Sequence, residues 1–254
     1  MSFDVKADER LDKVNEDITL IQKKDGLTFG TDAFLLAAFI REQKQSCAVE
    51  LGAGTGIISL LCASKCKLAN ITAFEIQEDF YDITDRNIKL NHLEDKVVAK
   101  RGDIRDISSK DIGKEVEVVF SNPPYMKTDS GSRNVSDRKY IARHETCGDI
   151  GDFCACAYRL LKHGGRFYCV WRPDRLSSLM QALKENRLEP KVMVFVHADN
   201  GAEPSMVLLS ATKGGAEGLH ILPPLMLHGD KDKNGARPLT QRAQKIYDTM
   251  SFSE

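Results

Sequence analysis

The 254-residue sequence lacks several features that define large classes of protein. No apolar run approaches the roughly 20 residues that a membrane-spanning helix needs, and the polar, mixed-charge residues 1–17 do not resemble a signal peptide. The formal net charge of −1 excludes a global electrostatic attraction to nucleic acids or anionic membranes. We therefore expect a cytoplasmic protein that does not bind membranes, and any polyanionic partner must meet a local basic patch.

The seven cysteines form no pattern that is typical of a metal or redox site. None stand in a Cys-x-x-Cys pair, so neither a zinc site nor a thioredoxin-type motif is indicated. Most lie in apolar segments, where cysteine behaves as a small hydrophobic residue. A reducing compartment is the simplest setting for such cysteines, and we predict no metal site.

Strands and helices alternate from residue 46 onwards, which indicates an α/β fold with a mostly parallel sheet and helices on both faces. The predicted strands cover residues 47–51, 71–76, 97–101, 116–121, 166–171, 191–197 and 205–212. The last two are joined by a connection too short for a crossover helix, which predicts an antiparallel pair. Seven strands with an antiparallel final strand fit a Rossmann-like methyltransferase sheet better than a dinucleotide-binding sheet.

Residues 1–45 form a predicted extension in front of a domain at residues 46–254, and we expect the two to fold as one unit. Residues 17–30 alternate around an Asp-Gly pair, which predicts a hairpin with its turn at that pair. The residues before this hairpin are expected to be frayed. A short apolar helix should follow it, capped by Thr31 or Asp32.

The first strand of the domain leads into "VELGAGTG", in which Glu50 precedes a turn containing Gly52, Gly54 and Gly56. The G-x-G-x-G spacing is not that of dinucleotide binders, and no P-loop lysine follows. A carboxylate at this place repels a pyrophosphate but suits the α-amino group of an amino acid. Alone, the turn is also compatible with glycines that serve only the packing of strand on helix.

The next two strand ends each carry a further acidic residue. Glu75, with Ile76 beside it, ends the second strand, where a carboxylate typically binds both hydroxyls of a ribose. Asp103 follows the third strand and suits an adenine amino group, with Ile104 against the ring. A solvated charge at Glu75 and an Asx turn or helix cap at Asp103 are the plainer alternatives. An amino-acid end, a ribose and an adenine together describe S-adenosylmethionine, which we predict as the cofactor.

The fourth strand ends in Asn122, Pro123, Pro124 and Tyr125, an arrangement that suits a planar amino group. The exocyclic nitrogen of adenine is a poor nucleophile because its lone pair is delocalised into the ring. The side-chain oxygen of Asn122 and the carbonyl of Pro123, which the prolines restrain, accept from its two hydrogens, and Tyr125 stacks on the ring. Alone, the tetrapeptide is equally compatible with a strand-ending turn and a surface tyrosine; after the glycine turn and the acidic strand ends, a catalytic site at Asn122, Pro123 and Tyr125 is favoured.

The motifs "GTDAFLL", "VELGAGTG", "VVFSNPPYMK" and "KGGAEGLHILPPLMLH" resemble the bacterial tRNA1(Val) adenine-37 N6-methyltransferase family, over roughly residues 17–230. The resemblance implies a class I methyltransferase that methylates N6 of an adenine in RNA, with adenine 37 in the anticodon loop of a tRNA as the expected target. It also implies that Asp32 lies near the methionine end of the cofactor. The expected cofactor-binding residues are Asp32, Glu50, Gly52, Gly54, Glu75, Ile76, Asp103, Ile104 and Asn122.

An RNA substrate needs basic surface near the mouth of the site, and residues 127–143 are the predicted source. This segment contains Lys127, Arg133, Arg138, Lys139 and Arg143, and Lys162, Arg166, Arg172 and Arg175 around the next strand are expected to extend the patch. An ordinary solvated loop is an equal alternative for the segment, and the net charge of −1 argues mildly against tight RNA binding. We expect the chain to act as a monomer.

Three other functions stay open from the sequence. A glutamine side chain is also a planar amide, so protein glutamine N5-methylation fits the same tetrapeptide; such enzymes usually carry a sizeable helical domain before the glycine turn, and here only residues 1–45 precede the domain. Ribosomal RNA or DNA amino-methylation is the nearest sibling. A catalytically idle module that binds S-adenosylmethionine is the third, although the intact Asn122 and Tyr125 speak against it.

Overall fold

The computed structural model describes residues 5–25, 30–124, 148–231 and 235–252, and one large β-sheet with helices on both faces organises them. The strands are β1 (Glu9–Lys13), β2 (Thr19–Lys23), β3 (Gln43–Leu51), β4 (Leu68–Glu75), β5 (Val97–Arg101), β6 (Val116–Ser121), β7 (Leu161–Trp171), β8 (Leu188–His197), β9 (Pro204–Lys213), β10 (His220–Ile221) and β11 (Leu225–Met226). The helices are α1 (Thr31–Phe39), α2 (Ile57–Ser64), α3 (Glu78–Leu90), α4 (Ser109–Ile112), α5 (Ile150–Leu160), α6 (Leu176–Glu185) and α7 (Gln241–Thr249).

The large sheet has the strand order β10-β8-β9-β7-β6-β3-β4-β5, with β11 beside β8. Strands β3 to β7 run parallel to one another, and β9 is antiparallel to both of its neighbours, β7 and β8. The predicted class is therefore confirmed, including the antiparallel final strand. The two-residue strands β10 and β11 extend the sheet beyond the seven predicted strands.

Two apolar layers cover the sheet, one on each face. One layer includes the buried side chains of α1, α2 and α7, and the other includes those of α5 and α6. Helix α2 is buried along almost its whole length, whereas α3 alternates buried and exposed positions and packs by one face. The parallel strands are buried from both sides, which explains their continuous apolar runs.

The structure describes an N-terminal hairpin that the sequence did not predict, whereas the predicted turn at Asp25-Gly26 lies partly outside the described residues. Strand β2 pairs with β1, which precedes it in the chain, in the antiparallel register that joins Leu11 to Ile21. The prediction of frayed residues before the hairpin is wrong for β1. The reason is that β1 is polar and is held by ionic contacts, so its sequence has no apolar alternation: Glu9 is buried and accepts from both terminal nitrogens of Arg86 on α3, at 2.9 and 2.7 Å.

Two predicted helix boundaries also change. The N-cap of α1 is Gly30, and Thr31 and Asp32 lie in its first turn instead of at the cap. The sequence also predicts a helix over residues 149–162 that is stopped by the Gly164-Gly165 pair. This prediction is wrong, because helix α5 ends at Leu160 and β7 begins at the next residue. Both errors follow from polar residues and glycines that are compatible with helix ends but do not determine where the end falls.

A buried lysine joins α1 to the C-terminal helix. Lys67 is 5% exposed, and its Nζ donates to the carbonyl oxygens of Ala37 at 2.6 Å, Ala38 at 3.1 Å and Met250 at 3.1 Å. The first two carbonyls belong to the last turn of α1, where a positive charge is favourable. Burial lowers the pKa of Lys67.

Candidate active site

The carboxyl ends of three adjacent strands bring the predicted site residues together. Leu51 at the end of β3 pairs with Phe74 on β4 and with Ser121 on β6. The Ser121 hydroxyl donates to the Leu51 carbonyl at 2.7 Å, which fixes the end of β6 beside the glycine turn. Asn122 therefore emerges next to Gly52, as expected for a site at the carboxyl edge of a parallel sheet.

The glycine turn is open on its ligand side at Gly54. This residue has φ +59°, and a Cβ atom there would meet no atom within 4 Å. The Gly54 N–H donates to Glu75 Oε2 at 2.8 Å, so the turn and the second acidic strand end are directly joined. The open backbone provides room for a ligand to approach closely, which is the predicted purpose of this turn.

Glu50 lies behind the turn and is buried, at 1% exposure. One of its oxygens accepts from the Ser59 N–H at 3.2 Å and from the Ser59 hydroxyl, which ties it to the first turn of α2. Desolvation raises the pKa of Glu50 to about 8, and the bonds from Ser59 oppose part of that rise. A nearby ammonium group would lower the pKa again. The predicted role of Glu50 toward an α-amino group stays a prediction.

Glu75 is also buried, and its two oxygens accept from the N–H groups of Gly54 and Gln77 at 2.8 and 2.9 Å. Burial raises the pKa of Glu75, and these backbone bonds counter the rise. Ile76, the residue after Glu75, lines a cavity of about 600 Å³, together with Lys23 of β2 and the neighbouring Asp8 and Asp25. The placement is compatible with the predicted ribose and adenine contacts, which stay predictions.

Asp103 follows β5 and is engaged with its own loop. Its Oδ1 accepts from the Arg105 N–H at 2.9 Å, and its carboxylate forms an ion pair with the Arg105 guanidinium, which lowers the pKa of Asp103. This is the Asx turn that the sequence left open as an alternative. Ile104 is 5% exposed, so a contact with an adenine ring requires this loop to present it. Both roles toward adenine stay predictions.

Asn122 and Asp32 meet although 90 residues separate them in the chain. Asn122 Nδ2 donates to Asp32 Oδ2 at 2.8 Å, which holds the donor half of the amide toward α1. The acceptor half, Oδ1, is the part that a substrate amino group needs. Asp32 lies in the first turn of α1, where the helix dipole favours a carboxylate. The structure thus places Asp32 beside Asn122, and the predicted roles of both residues stay predictions.

The remaining catalytic predictions fall partly outside the described residues. Pro123 is buried at the end of β6. Tyr125 and the basic segment 127–143 lie outside the described residues, so their predicted roles stay predictions.

The basic residues around β7 do not all lie at the same end of the strand. Arg172 follows the carboxyl end of β7. It therefore lies at the same end of the strands as Asn122, because β6 and β7 are parallel and Ser121 pairs with Cys169. Lys162 lies at the start of β7 and its Nζ contacts Glu117 at 2.9 Å, near the beginning of β6. The prediction that all four basic residues extend one patch is therefore wrong for Lys162, and Arg166 lies in the middle of β7, opposite Val118.

Three polar residues around the turn were missed from the sequence: Ser59, Thr84 and Asn87. Each is fully buried, and each bonds to Glu50 or to the glycine turn. A polar residue at an inward position of an amphipathic helix is a signal that can be read from sequence, because a buried polar group needs a partner. The signal does not name the partner.

Neither a membrane span nor a metal centre is found in the described part of the chain. Among the helices described, none is long and apolar enough to cross a bilayer. Within the same residues, no group of three or more His, Cys, Asp or Glu side chains is arranged to hold a metal ion.

Comparison with known proteins gives the family. A model described as the TRM5/TYW2 methyltransferase domain matches residues 37–152. A tRNA1(Val) (adenine(37)-N6)-methyltransferase from Phocaeicola vulgatus is 30% identical over 192 residues, which cover 76% of this chain and 80% of the relative. The chain belongs to the tRNA1(Val) (adenine(37)-N6)-methyltransferase family. The resemblance inferred from its motifs is confirmed, and the chain is a methyltransferase that uses S-adenosylmethionine.

Solved structures support the fold of this methyltransferase. A predicted O-methyltransferase from Agrobacterium tumefaciens superposes with a TM-score of 0.68 at 19% identity, covering 87% of this chain and 97% of that one. TYW2 of M. jannaschii, in complex with AdoMet, gives 0.54 at 16% identity, covering 82% and 86%. At these identities the likeness concerns the class I methyltransferase fold alone.

The site residues of this methyltransferase fit S-adenosylmethionine. Two buried carboxylates, Glu50 and Glu75, flank the open turn at Gly54, and Ile76, which follows Glu75, lines a cavity. This set of groups complements a ligand that combines an ammonium group with ribose hydroxyls.

Proposed function

We propose that this enzyme methylates N6 of an adenine in tRNA, and that the adenine is position 37 of the anticodon loop. The curated relatives carry this activity in their names. The observation that carries the proposal is the contact between Asn122 and Asp32 at the strand end beside the glycine turn. An asparagine held in this way has the chemistry to accept from a planar amino group.

Bound S-adenosylmethionine supplies a methyl group on a positively charged sulfur. Glu50 and the glycine turn would hold its methionine end, Glu75 and Ile76 its ribose and adenine, and Asp103 and Ile104 the far side of the adenine. Asp32, next to Asn122, would lie near the methyl group. These assignments rest on the strand-end order and on the burial of Glu50 and Glu75.

The protein's own groups then orient the substrate nitrogen. Asn122 Oδ1 and the Pro123 carbonyl each accept from one hydrogen of the amino group, and this favours a pyramidal nitrogen whose lone pair points at the methyl group. Tyr125 stacks on the base. The bound cofactor would supply the methyl group to this nitrogen and would leave as S-adenosylhomocysteine, and the nitrogen would release one proton to solvent after the transfer. Catalysis of this kind depends on orientation and placed dipoles rather than on a strong base.

The target adenine lies in a loop, so it can be turned out of its stack into the site at a lower cost than a base in a duplex. The basic segment 127–143 would contact the phosphates of the tRNA, together with Arg172 and Arg175, which follow the carboxyl end of β7. We further propose that the enzyme acts as a monomer in the cytoplasm.

The decisive test is methyl transfer from labelled S-adenosylmethionine to bulk tRNA, ribosomal RNA and release factors in separate reactions. We expect label in tRNA, mapped by nuclease digestion and mass spectrometry to N6 of adenine 37, and loss of label from a transcript with guanine at that position. Label that enters release factors instead would replace this proposal with glutamine methylation. Label in ribosomal RNA alone would assign a different RNA substrate.

A variant at Asn122 tests the site itself. Asn122→Ala should abolish transfer while binding of S-adenosylhomocysteine, measured by calorimetry, stays within about twofold. Asn70→Ala is the matched control, because Asn70 is an exposed residue near the start of β4, away from the carboxyl edge. Activity of Asn122→Ala equal to that of the control would remove Asn122 from the mechanism. If the wild type also binds the cofactor without methylating any substrate, the chain is an idle binding module.

A further inference from the structure

Helix α3 carries a polar stripe on the face that it turns toward the rest of the protein. Thr84 and Asn87 of α3 and Asn91, its C-cap residue, follow one another at spacings of three and four residues, and Thr84 and Asn87 are fully buried. Such a stripe on an inward helix face costs free energy unless its groups are paired. All three side chains have partners, and those partners lie on two different parts of the molecule.

The first set of partners is the β1–β2 hairpin. Asn87 Oδ1 accepts from the Ile21 N–H at 2.7 Å, and its Nδ2 donates to the Ile21 carbonyl at 3.1 Å. Asn91 repeats the pattern with Thr19, at 2.9 and 2.8 Å. Residues two apart on a strand present their backbone groups to the same side. The two amides therefore pair with the backbone N–H and carbonyl groups on one side of β2, as a neighbouring strand would.

The second set of partners is the glycine turn. Asn87 Nδ2 also donates to the Thr55 carbonyl at 2.9 Å, and the Thr84 hydroxyl donates to the Gly54 carbonyl at 2.7 Å. A trans peptide directs its N–H opposite to its carbonyl. Because the Gly54 carbonyl points at α3, the N–H of Thr55 points away from α3. The stripe thus fixes the orientation of the peptide between Gly54 and Thr55, which is part of the predicted cofactor-binding turn.

Asn87 is the one member of the stripe that bonds to both parts. The hairpin it holds is also a wall of the cavity beside Ile76, through Asp8, Lys23 and Asp25. We propose that Asn87 is a positioning residue that couples the β1–β2 hairpin to the glycine turn, which makes the hairpin a working part of the cofactor site. The inference concerns the complex with cofactor, so it holds whichever substrate receives the methyl group.

Two isosteric variants separate this coupling from simple packing. Asn87→Asp keeps an acceptor for the Ile21 N–H but places a carboxylate oxygen against the carbonyls of Ile21 and Thr55. Asn91→Asp makes the same change against the carbonyls of Thr19 and Asn87, with no bond to the glycine turn among the described contacts. Both variants should lower the Tm.

We expect the dissociation constant of S-adenosylhomocysteine, measured by calorimetry, to rise about tenfold in Asn87→Asp and to change less than about twofold in Asn91→Asp. An unchanged constant in Asn87→Asp, or an equal rise in both variants, would overturn the assignment.

Hydrogen–deuterium exchange on the wild-type protein tests the same coupling without a variant. S-adenosylhomocysteine should slow exchange of the amides at residues 19–22 at least twofold, although these residues lie on the hairpin and not in the turn. If the cofactor protects only the turn and leaves this strand unchanged, the hairpin is not coupled to the site. The exchange result decides the question on its own should Asn87→Asp fail to fold.

Discussion

The amide of Asn122 is held by its donor end, and this determines which of its atoms meets a substrate. An asparagine side chain can turn over at little cost, which exchanges its oxygen and nitrogen. Asp32 removes that ambiguity because a carboxylate only accepts, so the amide must turn its Nδ2 to Asp32. In the proposed mechanism, the Asp32 carboxylate contributes by holding the Asn122 side chain in one orientation.

Asp32→Ala should lower kcat roughly 10- to 100-fold, since it removes a hydrogen bond between a charged group and the Asn122 amide. Asp32→Asn should retain much of the activity, because its side-chain oxygen can still accept from Asn122. Steady-state kinetics with tRNA checks both variants. A kcat of Asp32→Ala equal to that of the wild type would show that Asn122 is oriented by other contacts.

Glu50 makes the ligand-free protein sensitive to pH. Its pKa of about 8 in the fold lies above the ordinary value of 4.5, so the folded protein binds this proton more tightly than the unfolded chain does. The contribution of Glu50 to stability therefore falls as the pH rises from about 4.5 to about 8. Glu50→Gln should remove that loss, and the Tm of the wild type should decrease relative to that of the variant between pH 5.5 and pH 8. Parallel Tm curves for the two proteins would contradict this.

At the scale of elements, α1 is fixed at both ends by side chains that come from elsewhere. Asn122 contacts its first turn, and Lys67 donates to carbonyls in its last turn. An apolar helix with buried residues along most of its length has little amphipathic pattern to orient it. The two polar contacts supply the orientation that the apolar surface does not.

Lys67→Met should lower the free energy of unfolding by about 2 kcal/mol, or the Tm by roughly 4–8 °C, because three buried carbonyls lose their donor. Lys65→Met is the control: Lys65 is 41% exposed and pairs with Asp17 at the surface, so its loss should cost less than about 1 kcal/mol. Thermal unfolding of the two variants gives the comparison. Equal losses would mean that the Lys67 contacts are not important for stability.

The elements with clear apolar runs could be predicted from the sequence, and those held by polar contacts could not. Strands β5 and β6 lie at the predicted residues, because apolar side chains dominate them. Strand β1 was missed because its folding depends on the pairing of Glu9 with Arg86, 77 residues later. Strands β10 and β11 have two residues each, which is too short to produce a periodic pattern.

The site was predictable to a similar degree. The order of Glu50, Glu75 and Asn122 along the strand ends gave their common location, because the carboxyl ends of parallel strands share one edge. The contacts that hold them could not be read from spacing: Ser59 reaches Glu50 from a neighbouring helix, and Asp32 reaches Asn122 across the fold. Such pairs depend on tertiary packing.

At the scale of the whole molecule, the positions of the basic residues along β7 predict where the RNA substrate binds. The double variant Arg172→Ala with Arg175→Ala should weaken tRNA binding roughly tenfold and reduce the salt dependence of log Kd by ~1–2, as expected for the loss of phosphate contacts. The double variant Lys162→Ala with Arg166→Ala is the matched control, because both residues lie earlier in β7 and farther from its carboxyl end. It should bind tRNA as the wild type does. Filter binding at several salt concentrations measures both. A larger loss of tRNA affinity in the control variant would show that the RNA binds at the amino end of the strands instead.

The contact between Lys67 and Met250 affects the order in which parts of the fold can form during synthesis. Domains generally fold as the chain emerges, from the N-terminus onward, and the described residues of the site precede residue 125. Met250 lies 183 residues after Lys67, so α1 receives this support only after residue 250 has left the ribosome. A nascent chain can therefore assemble the glycine turn early, whereas the Lys67 contact that joins the last turn of α1 to Met250 forms much later.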